Sequence, residues 1–437
     1  MSSNWKSISI GQICSIKRGA SPRPIQEWMT EGEGIPWVKI SDANSGKGKF
    51  INETVVKIKN GGKNHSVEVF PGDLILSNSA TPGLPRLMGI YACIHDGWLL
   101  LREFKGVKKE YLFYVLEKER ANLLAKGNGS IFTNLKTDIL REHEISLPPI
   151  NAQIAIAHIL GTLDEKIELN RKTNETLERI AKALFKSWFI TFDPVRAKEE
   201  GRSTGLSDEI SELFPDSFED SELGEIPAGW KILSIGDIAQ VIDCLHSKKP
   251  IRQKEGKLLL QLSNIGDNGI LDVSDQYLIA SEDYQKWISR LETQEGDCVI
   301  TNVGRVGAVS QVPPGVKAAL GRNMTALRPK DFFPFPTLIL EYLLSPLGRN
   351  EIQFNIDVGT ILNALNVKSI PKLRIPLPGI DICKHYEDLV RPIRQRMEQI
   401  NTENKNIALV RDTLLPKLIS GELRVPDAKK MLEEVGI

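Results

Sequence analysis

The stretch Gly72-Asp-Leu-Ile-Leu-Ser-Asn78 places a turn, an apolar strand and a polar residue in direct succession, and the chain repeats this order as Gly296-Asp-Cys-Val-Ile-Thr-Asn302. Glycine and aspartate favour a turn, and the apolar run after them favours a buried strand. The two stretches are 224 residues apart. The sequence therefore predicts one fold that occurs twice.

Other stretches recur in the same order at nearly the same separation. The matches are Trp5–Ile13 with Trp230–Ile238, Gly129-Ser-Ile131 with Gly359-Thr-Ile361, and Ile145-Ser-Leu-Pro-Pro-Ile150 with Ile375-Pro-Leu-Pro-Gly-Ile380. Repeats of this kind define the architecture before any single element does. Each copy is predicted to be α/β (α+β), with a helix at Glu110–Ala125 or Thr337–Ile352 and a closing strand at Glu144–Leu147 or Arg374–Leu377.

A helical region follows each closing strand. Asn151 and Asp381 are predicted N-caps. A break is expected about ten residues later, because Gly161 precedes a Thr-x-x-Glu capping box at Thr162 and Pro392 stands at the matching position. The sequence thus predicts a short helix followed by a long one in each copy, with the two long helices near 163–191 and 392–420. The second long helix is expected to kink at Pro416.

Apolar residues recur in the two long helices with the seven-residue period of a coiled-coil seam. The predicted seam consists of Leu163, Ile167, Asn174, Leu177, Leu184, Trp188, Ile393, Met397, Ile400, Asn404, Ile407, Leu414 and Leu418. Asn174 and Asn404 are equivalent seam positions, where a buried polar residue fixes register. Two helices that pack only on their own domains are the simpler alternative. Antiparallel pairing is the favoured interpretation; it would make a rod of about 43 Å joining two similar domains with pseudo-two-fold symmetry.

Composition is that of a globular cytoplasmic protein, with 41% hydrophobic and 26% charged residues. The five cysteines are scattered, which indicates reduced buried thiols. Lys plus Arg and Asp plus Glu number 56 each, but residues 1–150 carry 20 basic and 15 acidic residues, whereas residues 199–225 carry one and ten. The neutral total therefore includes an acidic segment, expected to be a solvated strap.

Motifs for catalysis are absent from the sequence. It has no phosphate-binding loop, no G-x-G-x-x-G, no H-E-x-x-H and no G-x-S-x-G. An amino-methyltransferase Asn-Pro-Pro-aromatic motif is missing too, and six dispersed histidines offer no metal-site spacing. The chain is predicted to be non-catalytic, with no metal site and no cofactor of its own.

In their order and duplication, the Gly-Asp strands, the region 129–189 and the closing strand and helix at 370–424 resemble the specificity subunits of type I restriction–modification systems. The resemblance implies two target recognition domains that read the halves of a bipartite, asymmetric DNA site, with paired helices as the spacer. It also implies partners: double-stranded DNA, two modification subunits that bind S-adenosylmethionine and methylate adenine, and restriction subunits that use ATP and Mg. The expected segments are recognition domain 1 (1–150), first spacer (151–191), acidic linker (192–228), recognition domain 2 (229–380), second spacer (381–425) and tail (426–437).

Candidate DNA contacts are the basic and amide residues on predicted loops, because such side chains bind phosphates and base edges. In the first domain they are Lys17, Arg18, Arg23, Asn78, Ser79, Thr81, Arg86, Lys126 and Asn128. In the second they are His246, Lys248, Lys249, Asn302, Arg305, Arg322 and Asn323. Each could instead be an exposed loop residue, and Arg305, Lys248 and Lys249 are the favoured candidates.

Two other functions remain open on sequence alone. The chain could be a coiled-coil protein-interaction scaffold that reads no DNA, or an enzyme whose reaction centre has no familiar motif. A methylation assay separates the three. Sequence-specific methylation only together with a modification subunit supports the recognition subunit, activity of the chain alone supports the enzyme, and no DNA dependence at all supports the scaffold.

Overall fold

The structure is a computed structural model of the chain, which describes residues 5–45, 48–126, 134–357 and 363–434. The chain divides into two compact units. Unit 1 comprises Met1–Leu169 and Asn404–Ile437, and unit 2 comprises Asn170–Glu403. Two long helices contribute to both units, and every contact described below lies within one unit.

Unit 1 contains the first copy of the repeated fold, whose strands and helices all precede residue 150. Its strands are β1 (Lys6–Ser9), β2 (Ser15–Arg18), β3 (Met29–Thr30), β4 (Ile35–Val38), β5 (Phe50–Ile51), β6 (Lys57–Ile58), β7 (Val67–Val69), β8 (Leu74–Ser77), β9 (Pro85–Met88), β10 (Ala92–Ile94), β11 (Trp98–Arg102) and β12 (Glu144–Leu147). Its helices are α1 (Ile10–Ile13), α2 (Ile25–Trp28), α3 (Ile40–Ser45), α4 (Lys109–Ala125) and α5 (Thr137–Glu142).

The elements between the two long helices belong to unit 2. The first long helix is α6 (Ile150–Phe189), and α7 (Asp193–Glu199), α8 (Asp208–Leu213), β13 (Phe218–Ser221) and β14 (Gly224–Pro227) follow it. The second copy of the fold is β15 (Lys231–Ser234), α9 (Ile235–Ile238), β16 (Ala239–Asp243), β17 (Lys257–Leu260), β18 (Gly269–Ile270), β19 (Leu278–Ile279), α10 (Ser281–Trp287), β20 (Cys298–Thr301), β21 (Val309–Gln311), β22 (Ala319–Leu320), β23 (Met324–Pro329), α11 (Pro336–Leu344), α12 (Pro346–Phe354), β24 (Ile356–Asp357), β25 (Ala364–Leu365) and β26 (Arg374–Leu377). The chain then forms α13 (Ile380–Ser420) and α14 (Val425–Glu434).

The predicted repeat is confirmed by the central sheets. The strand order is β2-β11-β8-β9-β5 in unit 1 and β16-β23-β20-β21-β18 in unit 2, so each strand has a counterpart. In both sheets the last pair is parallel and the others among these strands are antiparallel. The strands from the Gly-Asp stretches, β8 and β20, lie at the centre with every residue buried. The predicted closing strands pair with the first strand of each copy, β12 with β1 and β26 with β15.

The Gly-Asp turn before each central strand is stabilised by an ion pair, whose carboxylate is fully buried in unit 2 and 16% exposed in unit 1. Gly72 and Gly296 have φ of 89° and 87°, a backbone conformation that favours glycine. Asp297 accepts two hydrogen bonds from Arg328, at 2.8 and 2.7 Å, and one from the backbone N–H of Gln294 at 2.9 Å. Arg102 makes the equivalent two bonds to Asp73 in unit 1. The motif therefore fixes the beginning of the strand as well as the turn.

The predicted helix breaks at Gly161 and Pro392 are wrong, because α6 and α13 are continuous helices of 40 and 41 residues. The hydroxyl of Thr162 donates to the His158 carbonyl at 2.9 Å, within the helix, so it does not cap a new one. Pro392 is exposed, so water can reach the carbonyl that its missing N–H leaves unbonded. The helix likewise runs through Pro416, and because the helices begin at Ile150 and Ile380, Asn151 and Asp381 lie in their first turns and are not N-caps.

Two further expectations are corrected. The single predicted helix Thr337–Ile352 is two helices, α11 and α12, because Pro346 ends the first and the Ser345 hydroxyl caps the second through Gly348 N at 3.1 Å. The acidic segment is folded and is not a solvated strap. The ten acidic side chains of residues 199–225 are exposed, while Phe214 within this segment and Val195 and Ile226 on either side of it are buried in the core of unit 2.

Pairing of the two long helices is confirmed, and it is antiparallel within each unit. In unit 2 the Asn174 side chain donates to the Met397 carbonyl at 3.2 Å, and in unit 1 Asn404 donates to the Ile167 carbonyl at 3.4 Å. The two bonds are related by one shift, since 404 − 174 and 397 − 167 both equal 230. Leu163, Trp188, Met397, Ile400, Ile407, Leu414 and Leu418 of the predicted seam are buried, and Ile167, Leu177, Leu184 and Ile393 are half-buried. Among the described residues, none of the helices has both the length and the hydropathy needed to cross a membrane.

Replacing both Asn174 and Asn404 with leucine is expected to raise the free energy of unfolding by about 1–3 kcal/mol while loosening the register. Among the residues that the structure describes, the Oδ1 atom of Asn174 has no hydrogen-bond partner, so burying this amide costs stability that leucine would recover. Chemical denaturation measures the stability, and crosslinking of cysteine pairs introduced along the exposed edge of α6 and α13 measures the register. A double variant that is both less stable and still in a single register would contradict the assigned role.

Candidate nucleic-acid interface

The segment that follows each central strand forms a turn with the same backbone in both units. These twin turns are Ser77–Leu84 and Thr301–Ala308. Two backbone hydrogen bonds close each of them; in the first, Ser77 N donates to Leu84 O at 3.0 Å and Gly83 N donates to Ser77 O at 2.8 Å. The equivalent distances in the second are both 2.9 Å. Both turns therefore have one frame, set by the main chain.

One hydroxyl completes the frame of each twin turn. Ser77 Oγ donates to the Thr81 carbonyl at 2.5 Å and accepts from Leu84 N at 2.9 Å. Thr301 Oγ1 makes the same two contacts, to the Arg305 carbonyl and from Ala308 N. Ser and Thr are interchangeable here because only the hydroxyl is used.

The tips of the twin turns differ although their frames agree. The first tip reads Ser79-Ala-Thr-Pro82 and the second Val303-Gly-Arg-Val306. Ala80 and Gly304 stand at the same place and both have positive φ, 55° and 86°. The structure thus presents two different sets of side chains on one backbone.

Asn78 and Asn302 join the twin turns to neighbouring segments. The backbone N–H of Asn302 donates to the Asn323 carbonyl at 2.8 Å, and its carbonyl accepts from Leu365 N at 2.9 Å. Asn78 makes the equivalent bonds to the Gly97 carbonyl and from Leu135 N, both at 2.8 Å. Their side chains are only 5% and 6% exposed. Their amides donate internally, to the carbonyls of Asp96 at 3.1 Å and Leu365 at 3.0 Å, so they position the loops whose side chains are exposed.

Three basic candidates of unit 1 lie close to the Asn78 junction. Arg18 and Arg23 each lie 3.8 Å from the Asp96 carboxylate, and Lys17 is exposed beside Arg18 on β2. A hydrogen bond from Ser21 holds the pKa of Asp96 below its usual range. Asp96 was missed by the sequence reasoning because acidic residues are not typical DNA contacts. It orients the two arginines through its charge.

Arg86 is held inside unit 1 by its neighbours. It donates to the Ala43 carbonyl at 3.3 and 3.0 Å and lies 3.7 Å from the Glu117 carboxylate, with its side chain 14% exposed. Burial lowers the pKa of Arg86. The guanidinium of Arg86 is therefore bound by groups of unit 1 itself, in the absence of DNA. Ser79 and Thr81 are half-buried in the first twin turn, and Asn128 lies outside the described residues.

Lys126 is positioned by a buried histidine. Its Nζ lies 3.1 Å from His143 Nδ1, and His143 Nε2 lies 3.2 Å from a Glu119 carboxylate oxygen. An ammonium can only donate, so Nδ1 accepts and Nε2 carries the proton. Burial, together with the charge of Lys126, lowers the pKa of His143.

Acidification is expected to weaken unit 1 through His143. A lowered pKa in the folded state means that the unfolded chain takes up the proton first, so this contribution is complete above about pH 6.5 and is lost as the pH falls below it. From pH 7 to 5 the wild-type chain should lose up to about 2 kcal/mol more than a His143→Gln variant. Urea denaturation of both proteins at the two pH values measures the difference. Equal losses would assign no role to this histidine.

In unit 2 the basic candidates form two groups. Arg305 at the tip of the second twin turn donates to the Ile265 carbonyl at 2.7 Å and pairs with Asp267, whose carboxylate is 92% exposed. Arg322 is exposed next to Asn323, whose carbonyl accepts from Asn302. Lys249 lies with its Nζ 4.0 Å from the centre of the Tyr277 ring, while Lys248 is exposed beside it. Tyr277 could not be predicted as the partner of Lys249, because the two residues are distant along the chain.

His246 belongs to a polar network. Its Nε2 lies 2.8 Å from Asp243 Oδ2, and Arg290 donates to the same oxygen at 3.1 Å. Donor atoms of Asp243, Cys244 and His246 lie within 4.8 Å of one another, which makes them the set of potential metal ligands among the described residues. The guanidinium already neutralises this carboxylate, and burial raises the pKa of the Cys244 thiol. Both effects disfavour a cation there.

Comparison with known proteins identifies the class. Residues 2–179 match the family model described as the type I restriction modification DNA specificity domain. The chain is 28% identical to the type I restriction enzyme MjaIX specificity subunit of Methanocaldococcus jannaschii, covering 97% of this chain and 94% of the relative. It is 24% identical to the HindI specificity subunit of Haemophilus influenzae, covering 96% and 100%.

A solved structure has the same fold. The type I restriction–modification S subunit from M. genitalium superimposes with a TM-score of 0.59 at 19% identity, covering 95% of this chain and 96% of that one. Over nearly its full length the chain is thus similar to specificity subunits of type I restriction–modification systems, and residues 2–179 match the model of their DNA specificity domain. The superposition confirms the predicted fold class, and the relatives are named as specificity subunits of restriction enzymes.

Proposed function

We propose that this chain reads a bipartite, asymmetric DNA site, with one recognition domain for each half, and brings modification and restriction subunits to it. The observation that supports the proposal best is the pair of twin turns, which present different side chains on an identical frame. Base-specific reading requires different donors and acceptors at each half-site, whereas the means of holding a loop can stay the same. A protein-interaction scaffold would not need this combination.

The basic residues around the twin turns support contact with a duplex. Phosphates are bound by Arg and Lys and give affinity without sequence information, whereas bases are read by side chains that reach the grooves. Arg18 and Arg23 lie against Asp96, whose carbonyl Asn78 bonds, while Lys17 and Lys126 are exposed in unit 1 and Lys248, Lys249 and Arg322 in unit 2. We assign these to phosphates and the twin-turn tips to bases.

The proposed partners supply the chemistry. Two modification subunits would bind S-adenosylmethionine and methylate adenine, and restriction subunits would use ATP and Mg. The test combines the purified chain with a modification subunit, S-adenosylmethionine and random DNA. Sequence-specific adenine methylation by the mixture alone is the expected result. Methylation by the chain alone would make it an enzyme, and an assembly that ignores DNA would favour the scaffold.

Arg305→Ala is expected to reduce discrimination at one half-site by about 1–3 kcal/mol, or roughly 10- to 100-fold. The pair between Arg305 and the exposed Asp267 contributes little, so a base or phosphate can displace it. Binding to matched and mismatched duplexes at one salt concentration measures the effect, with the exposed Lys286→Ala as the matched control. Discrimination that Arg305→Ala leaves unchanged would remove this residue from the interface.

A further inference from the structure

A single position on each long helix fastens the recognition domain of its own unit. This fastening position is Asp164 in α6 and Arg394 in α13, which are related by the 230-residue shift of the repeat. In both units it contacts the helix that follows the central sheet, at Tyr114 of α4 and Glu341 of α11. Those two residues also correspond in place, because Tyr114 and Glu341 each stand five residues after the first residue of their helix, Lys109 and Pro336.

The contacts are equivalent in place and opposite in chemistry. In unit 1 the Tyr114 hydroxyl donates to Asp164 Oδ2 at 2.6 Å, and Arg411 of α13 donates to Asp164 Oδ1 at 2.7 Å. In unit 2 Arg394 is the donor, to Glu341 Oε1 at 2.5 Å and to the Asn268 carbonyl at 2.6 Å. The Arg394 and Glu341 side chains are 3% and 1% exposed. The spacer segment of unit 1 therefore supplies a carboxylate at this position and receives a hydroxyl from its domain, whereas that of unit 2 supplies a guanidinium and requires a carboxylate from its domain.

We infer that the fastening position assigns each recognition domain to its own spacer segment by excluding the other domain. Were the second domain placed on the unit 1 segment, Glu341 would face Asp164, and two carboxylates cannot both stay ionised in a buried contact. Were the first domain placed on the unit 2 segment, Tyr114 would leave the guanidinium of Arg394 buried without a carboxylate. Both mistakes are costly although the two folds are alike, which is how unlike polar pairs produce specificity between similar partners.

The fastening also reaches the twin turns. Arg394 bonds Asn268, which precedes β18, and β18 pairs with β21 directly after the second twin turn. In unit 1 Glu117 lies one turn after Tyr114 on α4 and pairs with Arg86 on β9, directly after the first twin turn. The fastening position is thus a positioning residue for the proposed reading surface.

The test presents to each spacer segment the side chain that the wrong domain would bring. Tyr114→Glu in the full chain is expected to speed hydrogen exchange of the α4 amides by on the order of tenfold or more. Tyr114→Phe, which only removes a hydrogen bond, should have a much smaller effect. Adding Asp164→Asn to Tyr114→Glu should restore most of the protection, because Arg411 can then pair with the new carboxylate. Glu341→Tyr should likewise expose α11, with Glu341→Gln as its milder control.

The inference is overturned if Tyr114→Glu behaves like Tyr114→Phe, or if Asp164→Asn brings no recovery. Hydrogen exchange does not depend on DNA, so it decides the fastening role even if the proposed function fails. The link to reading rests on the proposed function. For that part, Glu341→Tyr should lower discrimination at one half-site and leave the other half-site as in the wild type.

Discussion

Replacing Asp297 with alanine is expected to lower the free energy of unfolding of unit 2 by about 3–5 kcal/mol. Asp297 is fully buried, and it accepts two bonds from Arg328 and one from the backbone N–H of Gln294. Alanine would leave a largely buried guanidinium without its carboxylate and would release the turn that begins the central strand β20. Loss of a buried partner is among the few mechanisms that give effects of this size.

The repeat supplies the control for this prediction. Asp73→Ala removes the equivalent carboxylate in unit 1, but Asp73 is 16% exposed and its partner Arg102 is 38% exposed. Water can solvate that arginine, so a smaller loss of about 1–3 kcal/mol is expected. Chemical denaturation, with hydrogen exchange to assign the loss to one unit, measures both. Equal effects in the two units would show that burial does not govern the strength of this ion pair.

Grafting the tip of the first twin turn onto the second is expected to abolish reading of one half-site while leaving the fold intact. The graft is Val303→Ser, Gly304→Ala, Arg305→Thr and Val306→Pro. The frame should accept it because backbone bonds and the Thr301 hydroxyl form the turn, and because Ala80 already adopts a positive φ at the position of Gly304. Each lost base contact costs about 1–3 kcal/mol, so discrimination at that half should fall by roughly 10²- to 10³-fold.

Selection of bound sequences from random duplexes measures the outcome of the graft. The matched control is the reciprocal graft in unit 1, Ser79→Val, Ala80→Gly, Thr81→Arg and Pro82→Val, which should alter only the other half-site. Thermal unfolding confirms that both proteins remain folded. A grafted chain that still selects the wild-type sequence at both halves would assign the reading to other loops.

Much of the fold follows from the sequence because its signals are local. A glycine–aspartate turn before an apolar run predicts a buried strand, and its repetition predicts the second copy. The predicted helix breaks at Gly161 and Pro392 are wrong because local helix propensity does not include the surroundings of these residues. The seam partner of the helix and the exposure of Pro392 outweigh the local preference. The break at Pro346 was missed because its role depends on Ser345 as a cap.

The candidate interface could be predicted only in part. Residue type suggested the basic loops, and Asn78 and Asn302 were selected by their place in the repeat. The structure adds that both asparagine side chains bond inside their own unit. Orientation of a side chain depends on neighbours distant in sequence, such as Asp96 for Arg18 or Tyr277 for Lys249. Amino-acid type alone cannot separate a residue that contacts a ligand from one that holds a loop.

The shared frame of the twin turns has an evolutionary consequence under the proposed function. Because the main chain and one hydroxyl form each frame, mutations at the tip change little of what keeps the domain folded. New tips can therefore be sampled without first gaining stability elsewhere. Two frames in one chain vary independently, so the number of accessible bipartite sites grows as the product of the tips that each frame tolerates.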